Sequence, residues 1–217
     1  MTLSGDTNPD RDCALCDRLV AFRMKHRALQ PSWFNAPVPT FMARDVKVLI
    51  IGLAPGLRGA NQTGRPFTGD YAGDLLYQTL SDFGFASGTY DGRPDDGLTL
   101  VNTAITNAVR CVPPENKPTG PEIKACRPFL ENTIAQFDGL KAMVLLGRIA
   151  HDTTLTTLGL KRAAHPFGHG AEHRAEAIGD DLILFDSYHC SRYNTNTRRL
   201  TPEMFQAVFR RVAEHVR

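Results

Sequence analysis

The stretch VKVLIIGLAPG, residues 46–56, decides the fold class. Residues 46–51 are apolar except for Lys47, rich in β-branched side chains, and run into Gly52. So short and apolar a run reads as a strand buried on both faces, the pattern of a parallel sheet. Runs 98–104, 142–146 and 182–185 have the same character, the third stopping at Gly147 and the last before Asp186. Helical patterns are predicted over 14–28, 74–83, 121–137 and 148–158. A final helix opens at Thr201-Pro202-Glu203-Met204, with Thr201 as N-cap and Pro at the next position. Strands alternating with helices predict an α/β chain, specifically a three-layer α/β/α sandwich on a mainly parallel four-stranded sheet.

In such sheets ligands bind beyond the carboxyl ends of the strands. Residues 52–73, 106–111 and 188–197 are polar and follow three of the predicted strands, so they are expected to converge on one cleft. The turn 52–56 offers backbone N–H groups to an anionic or carbonyl ligand, but it lacks both the GxGxxG spacing and a P-loop lysine. Phe67, set between proline and glycine, is either a core residue or a flat platform for a ring.

The chain has 217 residues, enough for one domain, and 42% hydrophobic with 22% charged content is ordinary for a globular protein. The domain is expected to span 1–217, with 1–45 as an N-terminal segment. A net charge of +2 supplies little field, so any polyanion must be held by local clusters of Arg and Lys. No stretch approaches the ~18 apolar residues of a membrane helix, and the polar, acidic start is not a signal peptide. No membrane association is expected, and the protein is expected in the cytoplasm with the nucleoid. There, spaced cysteines are more often metal ligands than disulfides.

Cys13 and Cys16 form a C-x2-C pair, and Cys111 and Cys126 a second pair. Four such thiolates suit zinc or an iron–sulfur cluster; the alternative is four unrelated buried cysteines. Cys190, beside His189, reads as a bystander lining the cleft rather than a catalytic thiol. His165, His169 and His173, near Lys161 and Arg162, read as exposed loop residues whose spacing does not favour metal binding.

Four motifs taken together resemble the uracil-DNA glycosylase superfamily, and specifically its iron–sulfur branch known as family 5, a relative of family 4. They are GLAPG (52–56), TGRPFTGDYAG (63–73), TNAVRCVPPENKPT (106–119) and HCSRYNTNTRRLTPEM (189–204). With the four cysteines they cover nearly the whole chain from Cys13 onward. The resemblance implies a 4Fe–4S cluster on Cys13, Cys16, Cys111 and Cys126. It implies that Phe67 stacks on the flipped base, that Asn107 reads the polar edge of the base, and that His189 hydrogen-bonds its carbonyl. Gly52, Leu53, Ala54 and Gly56 would line the base site. Family 4 has an acidic residue where this chain has Leu53, and in family 5 the FTGD aspartate, here Asp70, takes over. From the residues alone, the alternative for Asp70 is an Asx-turn residue beside Gly69. Relatives usually carry Pro after the motif histidine. Here Cys190 replaces it, freeing an N–H and loosening φ.

The activity implied is base release without strand cleavage from duplex, and also single-stranded, DNA holding uracil or other deaminated bases such as hypoxanthine, by a monomer. No lysine is placed for a Schiff base. Arg192, Asn194, Arg198 and Arg199 suit phosphate contacts, with Arg192 and Tyr193 where relatives insert a wedge. Two alternatives stay open: a DNA-binding relative that keeps the cluster and has lost the chemistry, and a zinc-bearing α/β nucleotide-binding enzyme.

Overall fold

A computed structural model describes residues 6–176, 178–179 and 181–217. In chain order the helices are α1 (Asp17–Leu29), α2 (Ala60–Thr63), α3 (Tyr71–Asp82), α4 (Gly120–Ala135), α5 (Arg148–Thr157), α6 (Arg192–Asn196) and α7 (Pro202–Val216). The strands are β1 (Phe41–Met42), β2 (Val48–Gly52), β3 (Ala86–Ser87), β4 (Thr99–Leu100), β5 (Thr103–Asn107), β6 (Ala142–Leu146), β7 (Glu172–Arg174) and β8 (Ile183–Ser187). No helix is long and apolar enough to cross a membrane among the described residues.

The main sheet has six strands in the order β1-β5-β2-β6-β8-β7, not the four expected. Its centre, β5-β2-β6-β8, is parallel throughout, and the two added edges, β1 and β7, are antiparallel. These edges are only two and three residues long, too short to show the apolar run that marks a buried strand. The predicted strand 98–104 is corrected too. Asn102 turns through positive φ and splits it into β4, which pairs with β3 in a separate ribbon, and β5 in the main sheet.

Along the central strands the side chains alternate between two cores, as a pleated sheet covered on both faces requires. Val48, Ile50, Ile105, Val144 and Phe185 pack with α3 and α7 through Leu76, Leu80, Phe205 and Phe209. Leu49, Ile51, Met143, Leu145 and Leu184 pack on the other face with α4 and α5 through Leu130, Ile134 and Leu155. The three-layer arrangement follows from this alternation. α4 opens with a capping box between Thr119 and Glu122, and α7 is capped by Thr201 with Pro202 in its first turn.

The histidine-rich segment is not simply exposed. Asp186, wholly buried on β8, lies 2.7 Å from Nδ1 of buried His151 on α5 and 3.3 Å from Nε2 of His173 on β7. Nε2 of His151 lies 2.9 Å from the His165 carbonyl oxygen, so both ring nitrogens face acceptors and the imidazolium satisfies both. Burial alone would lower the His151 pKa; the hydrogen bond and charge of Asp186 outweigh it and raise the pKa above its ordinary value. The pair's contribution to stability is therefore full below about pH 6.5 and is lost as pH rises through the folded value. Urea midpoints of wild type and His151→Gln should differ most near pH ~6 and converge towards pH ~9. A gap constant with pH would show that this histidine does not titrate with the fold.

Candidate active site

The parallel register places Gly52 at the end of β2 directly beside Asn107 at the end of β5. β8 ends two residues before His189 on the same edge. These strand ends and the segment after α2 enclose a cleft of about 450 Å³. Leu53, Ala54, Gly56, Phe67, Asp70, Asn107, His189 and Arg192 line it, so the predicted loops do converge. Tyr71, Asn116 and Ser191 also line it and were not singled out from sequence. Their only signal was membership of the matching motifs.

Gly52 works as a spacer more than a wall. A Cβ there would stand 2.5 Å from Oδ1 of Asn107 and 2.7 Å from Cζ of Phe67. Phe67 is buried and holds φ at +52°, a left-handed conformation uncommon for a side chain of this size. Two close contacts hold it there. A Cβ on Gly73 would fall 1.8 Å from the Phe67 carbonyl oxygen, so the first turn of α3 presses against that backbone. The Tyr90 hydroxyl donates to the same oxygen at 3.3 Å.

Beneath this turn lies Arg65, whose guanidinium forms two hydrogen bonds of 2.8 and 2.7 Å to Asp96. The same group sits over the rings of Phe41, Tyr77 and Tyr90. The Arg65 guanidinium holds the Asp96 carboxyl far below the usual carboxylate range. The Phe67 ring presents its face to the His189 ring, the centroids 5.8 Å apart and the planes 27° from parallel.

Asp70 serves two ends at once. Its side chain caps α3 by accepting from the Gly73 N–H at 3.2 Å, and it faces the cleft. Burial raises its pKa, against the lowering effect of the Gly73 and Ala72 N–H groups. His189 has its backbone oxygen held by the Asn194 side-chain amide at 2.8 Å. Desolvation of its ring brings its pKa down to about 4, so the imidazole is neutral at pH 7. The Asn107 side-chain amide makes no hydrogen bond to protein among the described residues.

Cys190 is corrected: it is fully buried beneath the cleft, does not line it, and donates to the Ala72 carbonyl at 3.4 Å. Burial pushes its thiol pKa up, which disfavours the thiolate a nucleophile needs. Of the basic set, Arg192 lies over the Tyr71 ring and Arg199 over the Tyr188 ring. Arg198 is exposed at positive φ, and Tyr193 is 73% exposed at the start of α6. Cys13, Cys16, Cys111 and Cys126 line one narrow apolar space, with Leu19, Val109 and Arg23 around them.

A sequence model of the Uracil DNA glycosylase superfamily matches residues 39–213. The chain belongs to that superfamily. It is 44% identical over 202 residues to the Type-5 uracil-DNA glycosylase of Thermus thermophilus, covering 90% of each chain. Against the Type-5 uracil-DNA glycosylase of Pyrobaculum aerophilum identity is 36% over 206 residues, covering 93% of this chain and 88% of the other. A Type-4 uracil-DNA glycosylase of Sulfurisphaera tokodaii is 30% identical over 167 residues, covering 75% of this chain and 68% of the other. Within the superfamily the similarity to Type-5 members accords with the branch implied by Leu53 and Asp70.

One consequence of the cleft's tight spacing is open to direct measurement. A Cβ on Gly59 would stand 2.4 Å from Oδ2 of Asp70. Gly59→Ala should therefore turn Asp70 away and break its cap on α3, at a cost of about 1 kcal/mol. The urea midpoint should fall by a matching amount, and a crystal structure of the variant should show Asp70 rotated. An unchanged midpoint with Asp70 in place would refute this account of the glycine.

Proposed function

We propose that this chain is a monofunctional DNA glycosylase of base-excision repair. It would hydrolyse the N-glycosidic bond of uracil, and of other deaminated bases such as hypoxanthine, in DNA. One observation carries the proposal: Phe67, Asn107, His189 and Asp70 share the walls of a single cleft. They supply a ring platform, an amide with no protein partner, a neutral imidazole and a desolvated carboxylate. The active unit is residues 1–217 acting as a monomer, with 1–45 as an N-terminal segment that carries two of the four cluster cysteines.

A stacked base is out of reach, so the nucleotide must leave the helix at a cost of a few kcal/mol. Stacking on Phe67 recovers about 1–3 kcal/mol of it. Asn107 can donate to and accept from the polar edge of the base. Bond cleavage leaves negative charge on the base and cationic character on the sugar, and each needs a fixed partner. Neutral His189 donates an N–H to the base oxygen as charge develops, joined by backbone N–H groups of 52–56. Leu53 offers no polar group, and Asp70 is the only acidic side chain on the cleft wall among the described residues. Its carboxylate faces the sugar cation and orients the attacking water. Arg192, Arg198 and Arg199 contact phosphates, while exposed Tyr193 fills the vacated stack.

Cys13, Cys16, Cys111 and Cys126 would hold a 4Fe–4S cluster. Their shared apolar space supports this, as does the buried Arg23 guanidinium on its wall, which has no carboxylate partner among the described residues. When bound, such a cluster would tie the N-terminal segment to the end of β5 and to α4 through four iron–thiolate bonds.

An assay on duplexes holding uracil, hypoxanthine or an undamaged base tests the proposal. Release of free uracil without strand cleavage is expected, and a wild type that releases nothing would leave only a DNA-binding relative. Asp70→Ala should lose about 10²–10³ in single-turnover rate. Because the Asp70 pKa is raised, the rate should fall on acidification above the usual carboxylate range of ~4. His189, its pKa lowered to about 4, is still neutral where that limb begins. An acid limb near pH ~6.5 would instead mean that a histidine of ordinary pKa controls the rate.

A further inference from the structure

Three arginines are buried among the described residues: Arg23, Arg65 and Arg110. A buried guanidinium needs a countercharge, because its desolvation is not repaid by neutral acceptors alone. Arg65 has one in Asp96, with two short hydrogen bonds. The other two have none within ion-pairing distance among the described residues.

Arg110 is 0% exposed. Its guanidinium donates to the hydroxyls of Thr40 at 2.7 Å and Thr133 at 2.6 Å, to the Asn8 side-chain oxygen at 3.2 Å and to the Thr7 carbonyl at 3.3 Å. All four acceptors are neutral, and Nε has no partner. Arg23, 3% exposed on α1, donates to the Cys13 carbonyl at 2.8 Å and to Sγ of Cys111 at 3.5 Å, and its Nε is also unpartnered. The exposed Asp12 carboxylate is already paired with Arg27.

Both residues adjoin the four-cysteine set, Arg23 through its guanidinium and Arg110 through its backbone. Arg23 touches a thiol of that set, and Arg110 precedes Cys111 in the chain while its backbone N–H points at Sγ of Cys126 at 3.4 Å. Thiols are neutral and supply no countercharge. Four thiolates on a 2+ core carry a net charge of about −2, which matches two guanidinium groups.

We infer that Arg23 and Arg110 are the resident countercations of the four-thiolate centre, so that this corner of the protein is electrically balanced only when the centre is loaded. The inference rests on the cluster proposed above. It makes Arg23 a positioning residue for the centre, with opposite effects in the loaded and stripped protein. In the loaded protein the guanidinium stabilises the dianion; in the stripped protein it is a buried charge without a partner.

The test uses the full-length protein purified with its iron. Loss of absorbance near ~400 nm is followed in ferricyanide and chelator for wild type, Arg23→Met and Arg23→Lys. Urea midpoints are then measured on the same proteins after stripping. Arg23→Met should bleach about tenfold faster than wild type, with Arg23→Lys close to wild type. Once stripped, Arg23→Met should be the more stable protein, because its buried charge is gone. A residue that merely packs would weaken both forms. Bleaching of Arg23→Met at the wild-type rate, or a stripped variant less stable than stripped wild type, overturns the inference while the cluster stands. A wild type purified without iron overturns the cluster itself, and the inference with it.

Discussion

Gly52 and Asn107 end two adjacent parallel strands in register, and only a hydrogen atom fits at position 52 between Asn107 and Phe67. The cleft depends on this close approach. Parallel pairing brings the carboxyl ends of β2, β5, β6 and β8 to one edge without long excursions of the backbone. The missing side chain then lets the Phe67 ring lie against the sheet end with the Asn107 amide beside it. Phe67 stays in its left-handed conformation because Gly73 and Tyr90 meet its carbonyl from one side while the turn rests on the Arg65–Asp96 pair. Strain in the turn is thus offset by a buried ion pair wrapped in three aromatic rings.

β2 and β6 were legible as unbroken apolar runs because both faces of each are buried, and β8 through its apolar first half, whereas β5 was caught only at its start, inside the run 98–104. The same rule hid β1 and β7, which lie at the edges and need only backbone pairing. Asn102 shows a different limit. Nothing in the apolar run 98–104 announces that one residue turns through positive φ and sends the halves to separate sheets, although Asn tolerates that region better than most residues. The cleft-forming loops were legible as polar segments after strands, and the motifs supplied the individual roles. Cys190 was misplaced because its neighbour His189 faces the cleft; adjacent residues in an extended segment point to opposite sides.

Asp186 illustrates what periodicity alone cannot convey. It follows an apolar run and reads as the end of a strand, yet it lies inside the strand, 0% exposed, with two histidines from α5 and β7 turned towards it. Only the tertiary contact of those elements explains how a carboxylate can sit there. The same holds for Arg65, whose partner Asp96 is 31 residues away in a loop with no distinctive pattern.

The contacts of Arg110 also bear on the order in which the chain can assemble. Its guanidinium joins Thr7 and Asn8 to Thr40 and Thr133, sequence separations of up to 126 residues among neighbouring groups. On a ribosome the first residues must therefore wait for α4 to emerge before they find their partners. Strand β8, which leads into His189, and the helix that closes the core over it come later still. Long-range closure of this kind slows folding and leaves the early segment exposed to wrong pairings. The corner that holds the cysteines is thus complete before the cleft is, and synthesis places its assembly ahead of any encounter with substrate.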